Sequence, residues 1–389
     1  MDKFSMVTRE RLFTPGPTPL LPQVERAALF PVGYHRTHFF RELTMECKRQ
    51  LAAVMGTKEL PVILACSGSG AMQATVESLV SVGSKVLVVE AGKFGQRWRD
   101  ICYRLGLEVN VFQLPWGQAL DMAHFEQYLV EVLREGSLEA VLCQGTETST
   151  ATQYPIAEMA RLVSERSSDT LFLVDGISSV GSKPYYADEW GIDAVVSASQ
   201  KGFGVPPGLG FVGLSQRARQ RLVSGPSLYF DLKQEVCSQQ DGTTAYTAAT
   251  QLIYMLHTAL QQLQDMGWET VYQVQAQAGQ GLRQAGERLG LEIFSQAPAE
   301  SVTAFVAPAG VDALDLVAYM KKVYKMQISG GQGPVKGKIF RVAHMGAVDA
   351  VDVAGCILAM ESSLRQLGYQ IDVFPGAAVS TFWQVMHDF

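Results

Sequence analysis

Leu171-Phe-Leu-Val-Asp175, four apolar residues closed by a carboxylate, is followed by Ala194-Val-Val196 and then by Ser197-Ala-Ser-Gln-Lys-Gly-Phe-Gly-Val-Pro-Pro-Gly208, a lysine among small residues. A short unbroken apolar run marks a strand buried on both faces, because neither face has to meet water. Working outward, runs of the same kind recur at 61–65, 85–90, 108–112, 139–143, 170–174, 194–196 and 210–213. Between them 70–82, 94–105, 122–134 and 156–165 repeat their apolar residues with helical spacing. That alternation predicts an α/β fold, a mainly parallel seven-stranded sheet with helices on both faces. Such sheets take ligands in the crevice at the carboxyl ends of their strands, where Asp175 and Lys201 both fall.

A long helical pattern fills 248–289, its glutamines mixed with Leu, Val and Ala, which reads as an exposed helix face rather than a disordered tract. Beyond it, 291–294, 302–306, 327–328 and 338–342 read as strands, and 312–323 and 349–367 as helices. The chain therefore divides into an N-terminal segment, 1–20, a large domain, 21–266, and a small C-terminal α+β domain, 267–389.

At 389 residues, 47% hydrophobic and with a net charge of −6, the composition suits a well-buried core and excludes a basic nucleic-acid or membrane-binding face. The start, Met1 to Arg11, lacks the apolar core of a signal peptide, and no stretch is apolar for the length of a membrane span. The end, Met386-His-Asp-Phe389, is no peroxisomal signal. Cytoplasm is the expected compartment. Six cysteines are scattered without a C-x-x-C pair, and six histidines show no ligand spacing, so neither a zinc site nor a disulfide framework is expected.

Chemistry-bearing groups collect just after the strands. Cys66-Ser-Gly-Ser-Gly-Ala-Met72 opens a helix, and its small residues let backbone amides approach an anion, with the Ser69 hydroxyl as a further donor. It matches neither the dinucleotide fingerprint nor the P-loop. Phe94, in Gly92-Lys-Phe-Gly-Gln-Arg97, fits a ring stacked on a planar ligand or a core residue of the next helix. Glu147-Thr-Ser-Thr150 fits hydroxyl donors to a phenolic oxygen or a cap for the helix starting at 156. Asp175 and Lys201 together suit pyridoxal 5′-phosphate (PLP): the lysine holds the aldehyde as a Schiff base, and the acid keeps the pyridine nitrogen protonated. Displaced from the cofactor, Lys201 becomes an amine poised to carry a proton, its pKa lowered by burial. Arg341, ending Gly330-Gly-Gln-Gly-Pro-Val-Lys-Gly-Lys-Ile-Phe-Arg341, presents the planar fork that fits a substrate carboxylate; Lys336 and Lys338 sit in or beside the glycine-rich turn and read as solvated.

These residues carry a resemblance to the class V aminotransferases of PLP fold type I, in the alanine–glyoxylate and serine–pyruvate group. Its landmarks run in order along nearly the whole chain: Phe13-Thr-Pro-Gly-Pro-Thr18, His35-Arg36 with Phe39, Ser67–Met72, Glu147–Thr150, Val174-Asp-Gly-Ile-Ser-Ser-Val-Gly181, Ser199-Gln-Lys201 with Pro206-Pro-Gly208, Gly330-Gly-Gln332, and Gly337-Lys-Ile-Phe-Arg341. The resemblance implies Lys201 as the lysine that carries the cofactor and Asp175 as partner of the ring nitrogen. It implies Phe94 against the ring, Ser69, Gly70, Ala71 and Gln200 around the phosphate, and Thr148 near the phenolic oxygen. It also implies Arg341 at the substrate carboxylate and Gly16 lining the pocket. Family members are homodimers, and Thr247 resembles the residue that reaches the partner's phosphate. Ala151 stands where relatives usually have Gly, and the usual Pro near Thr247 is missing, Tyr246 and Ala248 flanking it. Tyr246, His35 and Arg36 are candidates for the pocket wall.

The reaction implied is transfer of an amino group from a small amino acid (alanine, serine or aspartate) to glyoxylate or another 2-oxo acid. The alternatives are a PLP-dependent lyase or desulfurase, with Cys237 as its only candidate cysteine, and a non-enzymatic subunit of a redox complex.

Overall fold

The computed structural model describes residues 10–387. Residues 1–9 of the N-terminal segment, including most of the start read for a leader, and residues 388–389 of the chain end lie outside the described residues.

The strands form where the apolar runs are. They are β1 Val62–Leu64, β2 Lys85–Glu90, β3 Glu108–Gln113, β4 Ala140–Gln144, β5 Leu171–Asp175, β6 Ala194–Ala198 and β7 Gly210–Leu214. They make one seven-stranded sheet in the order β1-β7-β6-β5-β4-β2-β3. Only β7 runs against its neighbours, β1 and β6; every other pair is parallel. Alternate residues of each strand feed two separate cores. Val89, Val141, Phe172, Val174 and Val195 face one. Val88, Leu142, Leu171, Leu173 and Val196 face the other. Where both faces are covered, a strand has no polar side to present, which is why the inner strands read as continuous rather than alternating, whereas the edge strand β3 keeps Glu108 and Gln113 exposed.

Helix α1 His38–Met55 precedes β1, and between the strands lie α2 Gly68–Leu79, α3 Lys93–Arg104, α4 Met122–Arg134 and α5 Ile156–Arg166. Thr37 caps α1 and Asp121 caps α4 through side-chain oxygens, whereas Ser67 before α2 and Gly92 before α3 make no such bond. The α2 and α3 starts, whose own N-cap residues supply no side-chain cap, lie at the carboxyl edge of the sheet.

The helical stretch expected over 248–289 is two helices, α6 Thr250–Met266 and α7 Trp268–Arg288. Gly267 breaks it with φ +80°, backbone that a side chain resists. A second sheet, β8 Val302–Val306, β9 Ser329–Gly330 and β10 Ile339–Ala343, has β10 in the centre and is antiparallel throughout. Helices α7 and α8 Ala313–Tyr324 pack directly on it, and α9 Ala350–Gln366 and α10 Ala377–His387 complete the same core. The strand read at 291–294 is only a bridge between Ile293 and Phe305.

The N-terminal segment stitches the two halves. Arg11–Leu12 pairs in parallel with Met326–Gln327, Ala343 donates its N–H to the Phe13 carbonyl at 2.8 Å, and Thr18 donates to the Gln200 carbonyl at 3.2 Å. Residues 13–18 are thus laid across the loop that carries Lys201.

Candidate active site

Asp175 closes β5 with its side chain 3% exposed, and its Oδ1 accepts the Ile177 N–H at 2.8 Å. Burial pushes this carboxyl up to about 7; Glu147 adds to the rise, while the Ile177 amide, Lys201 and Arg97 oppose it. Lys201 follows β6 and is buried. Desolvation pulls its ammonium down to about 8, Arg341 and Arg97 pulling the same way against Asp175. Its Nζ donates to the Pro15 carbonyl. Gly16 permits that approach: its φ is +101°, and a Cβ there would stand 2.6 Å from both Cδ and Cε of Lys201. Thr18 Oγ1 also donates to the Lys201 carbonyl at 3.0 Å.

Beyond β1, the loop enters α2 with Ser67 extended and without a side-chain cap. Among the described residues no acceptor is placed on the N–H of Gly68, Ser69 or Gly70. These are first-turn amides with the positive end of the helix behind them. Ala71 is fully buried, and its own N–H donates to the Ser67 carbonyl at 3.1 Å. At Gly70 a Cβ would meet Cys66 Cβ at 2.9 Å and Phe230 at 3.2 Å, so only glycine keeps the turn this tight. Ser69 Oγ accepts from Arg97 Nη1 at 3.0 Å, and the Arg97 guanidinium lies 4.9 Å over the half-buried Phe94 ring.

The Glu147–Thr150 run serves a different helix from the one its sequence position suggests. Pro155 precedes α5 with no side-chain cap. Glu147, fully buried, instead turns to the start of α3, where Oε2 accepts Phe94 N–H at 3.0 Å and Gly95 N–H at 3.1 Å. Its Oε1 takes the N–H and hydroxyl of Ser149, whose Oγ in turn accepts Lys93 N–H at 3.0 Å. Burial raises the Glu147 carboxyl, and these four donors oppose the rise. A carboxylate at a helix N-terminus is well placed electrostatically, and here it fixes where Phe94 begins. Glu147→Ala leaves the Phe94 and Gly95 amides unpaired, and is expected to cost about 2–4 kcal/mol in denaturant unfolding. A loss below about 0.5 kcal/mol would show that this cap carries no weight.

Thr148 Oγ1 shares a 2.6 Å hydrogen bond with Ser178 Oγ, and its carbonyl accepts from Arg341 Nη1 at 2.8 Å. Arg341 is 4% exposed on β10, and its Nε and Nη2 donate to the Gly330 carbonyl. No carboxylate pairs with it among the described residues. Burial lowers its pKa to about 10, with Glu147 opposing. Gln200 is half-buried, with a buried Oε1 that has no partner.

Thr247 stands apart from this group. It is exposed and lines a cleft with Leu64, Ala65, Tyr229 and Tyr246, and no hydrogen bond ties it to the Lys201 loop. Tyr246 stacks on Tyr229 at 5.2 Å. His35 meets Tyr34 edge-on and Arg36 is exposed, both in a surface stretch away from the Lys201 contacts.

A family profile described as aminotransferase class-V matches residues 27–347. The chain belongs to the class V aminotransferases. Among its relatives, a protein named soluble hydrogenase, small subunit, from Synechococcus sp. strain PCC 6716 is 34% identical over 98% of this chain and 99% of that one. A serine–glyoxylate aminotransferase from Methylorubrum extorquens is 33% identical over 96% and 94%, and an L-aspartate–glyoxylate aminotransferase from Paracoccus denitrificans is 31% identical over 96% of each chain. The crystal structure of an alanine–glyoxylate aminotransferase from Nostoc sp. superimposes with a TM-score of 0.87 at 28% identity, covering 94% of this chain and 97% of that one.

Class V aminotransferases use PLP, and the residues at this edge fit it. Open amides at the start of α2 suit a phosphate, and a buried carboxylate with one backbone donor suits a protonated ring nitrogen. A buried amine with no carboxylate in hydrogen-bond contact among the described residues suits an aldehyde. Among the described residues no group of three or more His, Cys, Asp or Glu could hold a metal ion, and no helix is long and apolar enough to cross a membrane.

Reading this aminotransferase from sequence missed Glu147 as the clamp on α3, Ser178 as partner of Thr148, Pro15 as partner of Lys201, and the contacts of Arg97 with Ser69 and Phe94. Glu147 had a usable signal, an acid among hydroxyl residues directly after a buried strand. The others are contacts between distant segments and leave no local pattern.

Proposed function

We propose that this class V aminotransferase moves an amino group from a small amino acid (alanine, serine or aspartate) to glyoxylate or another 2-oxo acid, as a homodimer in the cytoplasm. The observation that carries the reading is the buried set of Lys201, Asp175 and Arg341 at one edge of the sheet. When bound, PLP supplies the electron sink for the charge left at the substrate's Cα. Lys201 would carry its aldehyde and Asp175 would hold the proton at its ring nitrogen. Ser69, Gly70, Ala71 and Gln200 would surround its phosphate, with Thr148 at the phenolic oxygen and Phe94 against the ring face.

Arg341, on the small domain we infer for 267–389, would bind the substrate carboxylate across from the large domain, 21–266, exchanging its two carbonyl partners for the fork's better match. Gly16 would close the pocket above Lys201. With its pKa lowered to about 8, the amine would keep an unprotonated fraction near neutral pH to take the Cα proton and hand it back two bonds away, at the carbon that was the cofactor's aldehyde. The named activities of the Methylorubrum and Paracoccus relatives support glyoxylate as acceptor.

A second copy is supported by apolar side chains left in solvent, Leu29 at 83%, Val32 at 81% and Leu228 at 76% exposed. Thr247 would reach the partner's phosphate from the same side. Free, unpaired cysteines accord with a reducing compartment. A redox subunit without chemistry would have no use for an intact set of Lys201, Asp175 and Arg341.

The test is a half-reaction. Holoenzyme is mixed with single amino acids while the cofactor's visible absorbance is followed. Loss of the band with release of the matching 2-oxo acid is expected for one of alanine, serine or aspartate. Pyruvate released with sulfide or ammonia would replace transamination by a lyase reaction.

A further inference from the structure

We propose that Arg97 is a further cofactor-binding residue, a cation that offsets the phosphate charge of PLP while fixing Ser69 and Phe94 on either side of it. This rests on the PLP reading of the site. Arg97 opens the second turn of α3, three residues after Phe94. Its Nη1 donates to Ser69 Oγ at 3.0 Å, and its guanidinium carbon lies 4.9 Å above the Phe94 ring. One side chain therefore joins the loop after β1 to the helix after β2, although the two strands are far apart in the sheet.

The direction of the Ser69 bond matters. A hydroxyl has a single hydrogen, and with Arg97 donating to its oxygen that hydrogen is free for an acceptor. The open amides of Gly68, Ser69 and Gly70 lie beside it, so the loop and the hydroxyl present donors together.

Charge points the same way. Ser69, Gly70, Lys93, Arg97 and Arg104 share a cleft of about 340 Å³ whose only acid among the described residues is Asp100, and Asp100 is paired with Arg99. Among the described residues Arg97 has no carboxylate partner of its own. A phosphate monoester carries about −1.5 to −2 charges at neutral pH, more than neutral amides offset alone. The charge on Arg97 is also felt at Lys201 and Asp175, lowering both, so it acts within the same site.

The test needs no turnover. Apoenzyme with the natural residue, Arg97→Met and Arg97→Lys are each titrated with PLP and with pyridoxal, which lacks the phosphate, following the absorbance of bound cofactor. Arg97→Met is expected to weaken PLP binding roughly 10- to 100-fold and change pyridoxal binding less than about twofold, with Arg97→Lys recovering part of the loss. Added salt should weaken PLP binding less in Arg97→Met than in the parent chain. Equal losses for both ligands would overturn the proposal, because Arg97 would then only prop the Phe94 ring. No loss for either would overturn it too. A parent chain that binds neither ligand would overturn the PLP reading itself.

Discussion

Lys201→Ala is expected to lower transamination by at least about 10³-fold while leaving the apoenzyme folded. A positioned general base is worth roughly 10²–10⁴ in rate, and the same amine anchors the cofactor, so both contributions go together. The stability side is argued from sign. Burial takes the Lys201 ammonium from 10.5 to about 8. Between those values the folded chain binds fewer protons than the unfolded one, so the lysine costs stability below pH 8, and the cost fades as pH rises toward 10.5. At pH 7 it amounts to about 3 kcal/mol, against which the lost packing of the lysine stem counts. The unfolding midpoint of Lys201→Ala apoenzyme should therefore equal or exceed that of the parent chain. A small primary amine added to the assay should restore part of the turnover, whereas Lys201→Arg, whose side chain stays charged, should not. Turnover unchanged in Lys201→Ala would end the reading of this loop as the reactive centre.

Much of the fold was legible because burial on both faces writes itself into composition. A strand such as Leu171–Asp175 has no position that meets water, and each of the seven runs became a strand of one sheet. Once the order of strands was read, the crevice at their carboxyl ends followed, and Asp175, Ser69, Phe94, Thr148 and Lys201 were found beside it. What stayed hidden depends on contacts between distant segments. Beyond the resemblance that puts Gly16 in the pocket, nothing in Phe13–Thr18 announces that the Pro15 carbonyl and the Thr18 hydroxyl will lie on Lys201, and the parallel pairing of Arg11–Leu12 with Met326–Gln327 that holds the segment there is two residues long. Glu147 was misjudged for the same reason. A cap is sought in the residues before a helix, and this one reaches α3 from β4 across the sheet edge. The break at Gly267 was a local signal passed over, since one glycine at positive φ ended what the apolar spacing continued.

Asp175→Asn separates the charge of the carboxyl from its shape. Burial raises Asp175 from 3.8 to about 7, the reverse of a salt-bridged carboxylate. The folded apoenzyme therefore binds more protons than the unfolded chain between about pH 4 and 7, and its stability falls as pH rises through that window. Above pH 7 the full cost is present, of order 4 kcal/mol. Apo Asp175→Asn is thus expected to unfold at a higher temperature than the parent at pH 8, with the two converging as pH falls toward 4. Loading with PLP should reverse the order, because a protonated ring nitrogen gives the carboxylate a charged partner that asparagine cannot match. Turnover of the variant should fall about 10²- to 10³-fold, the worth of one preorganised charge in a dry site. Apoenzymes whose stabilities run parallel from pH 4 to 8 would mean that Asp175 keeps an ordinary carboxylate pKa. Its burial would then be offset by donors other than Ile177, and the case for Asp175 as the ring's partner would lose its physical basis.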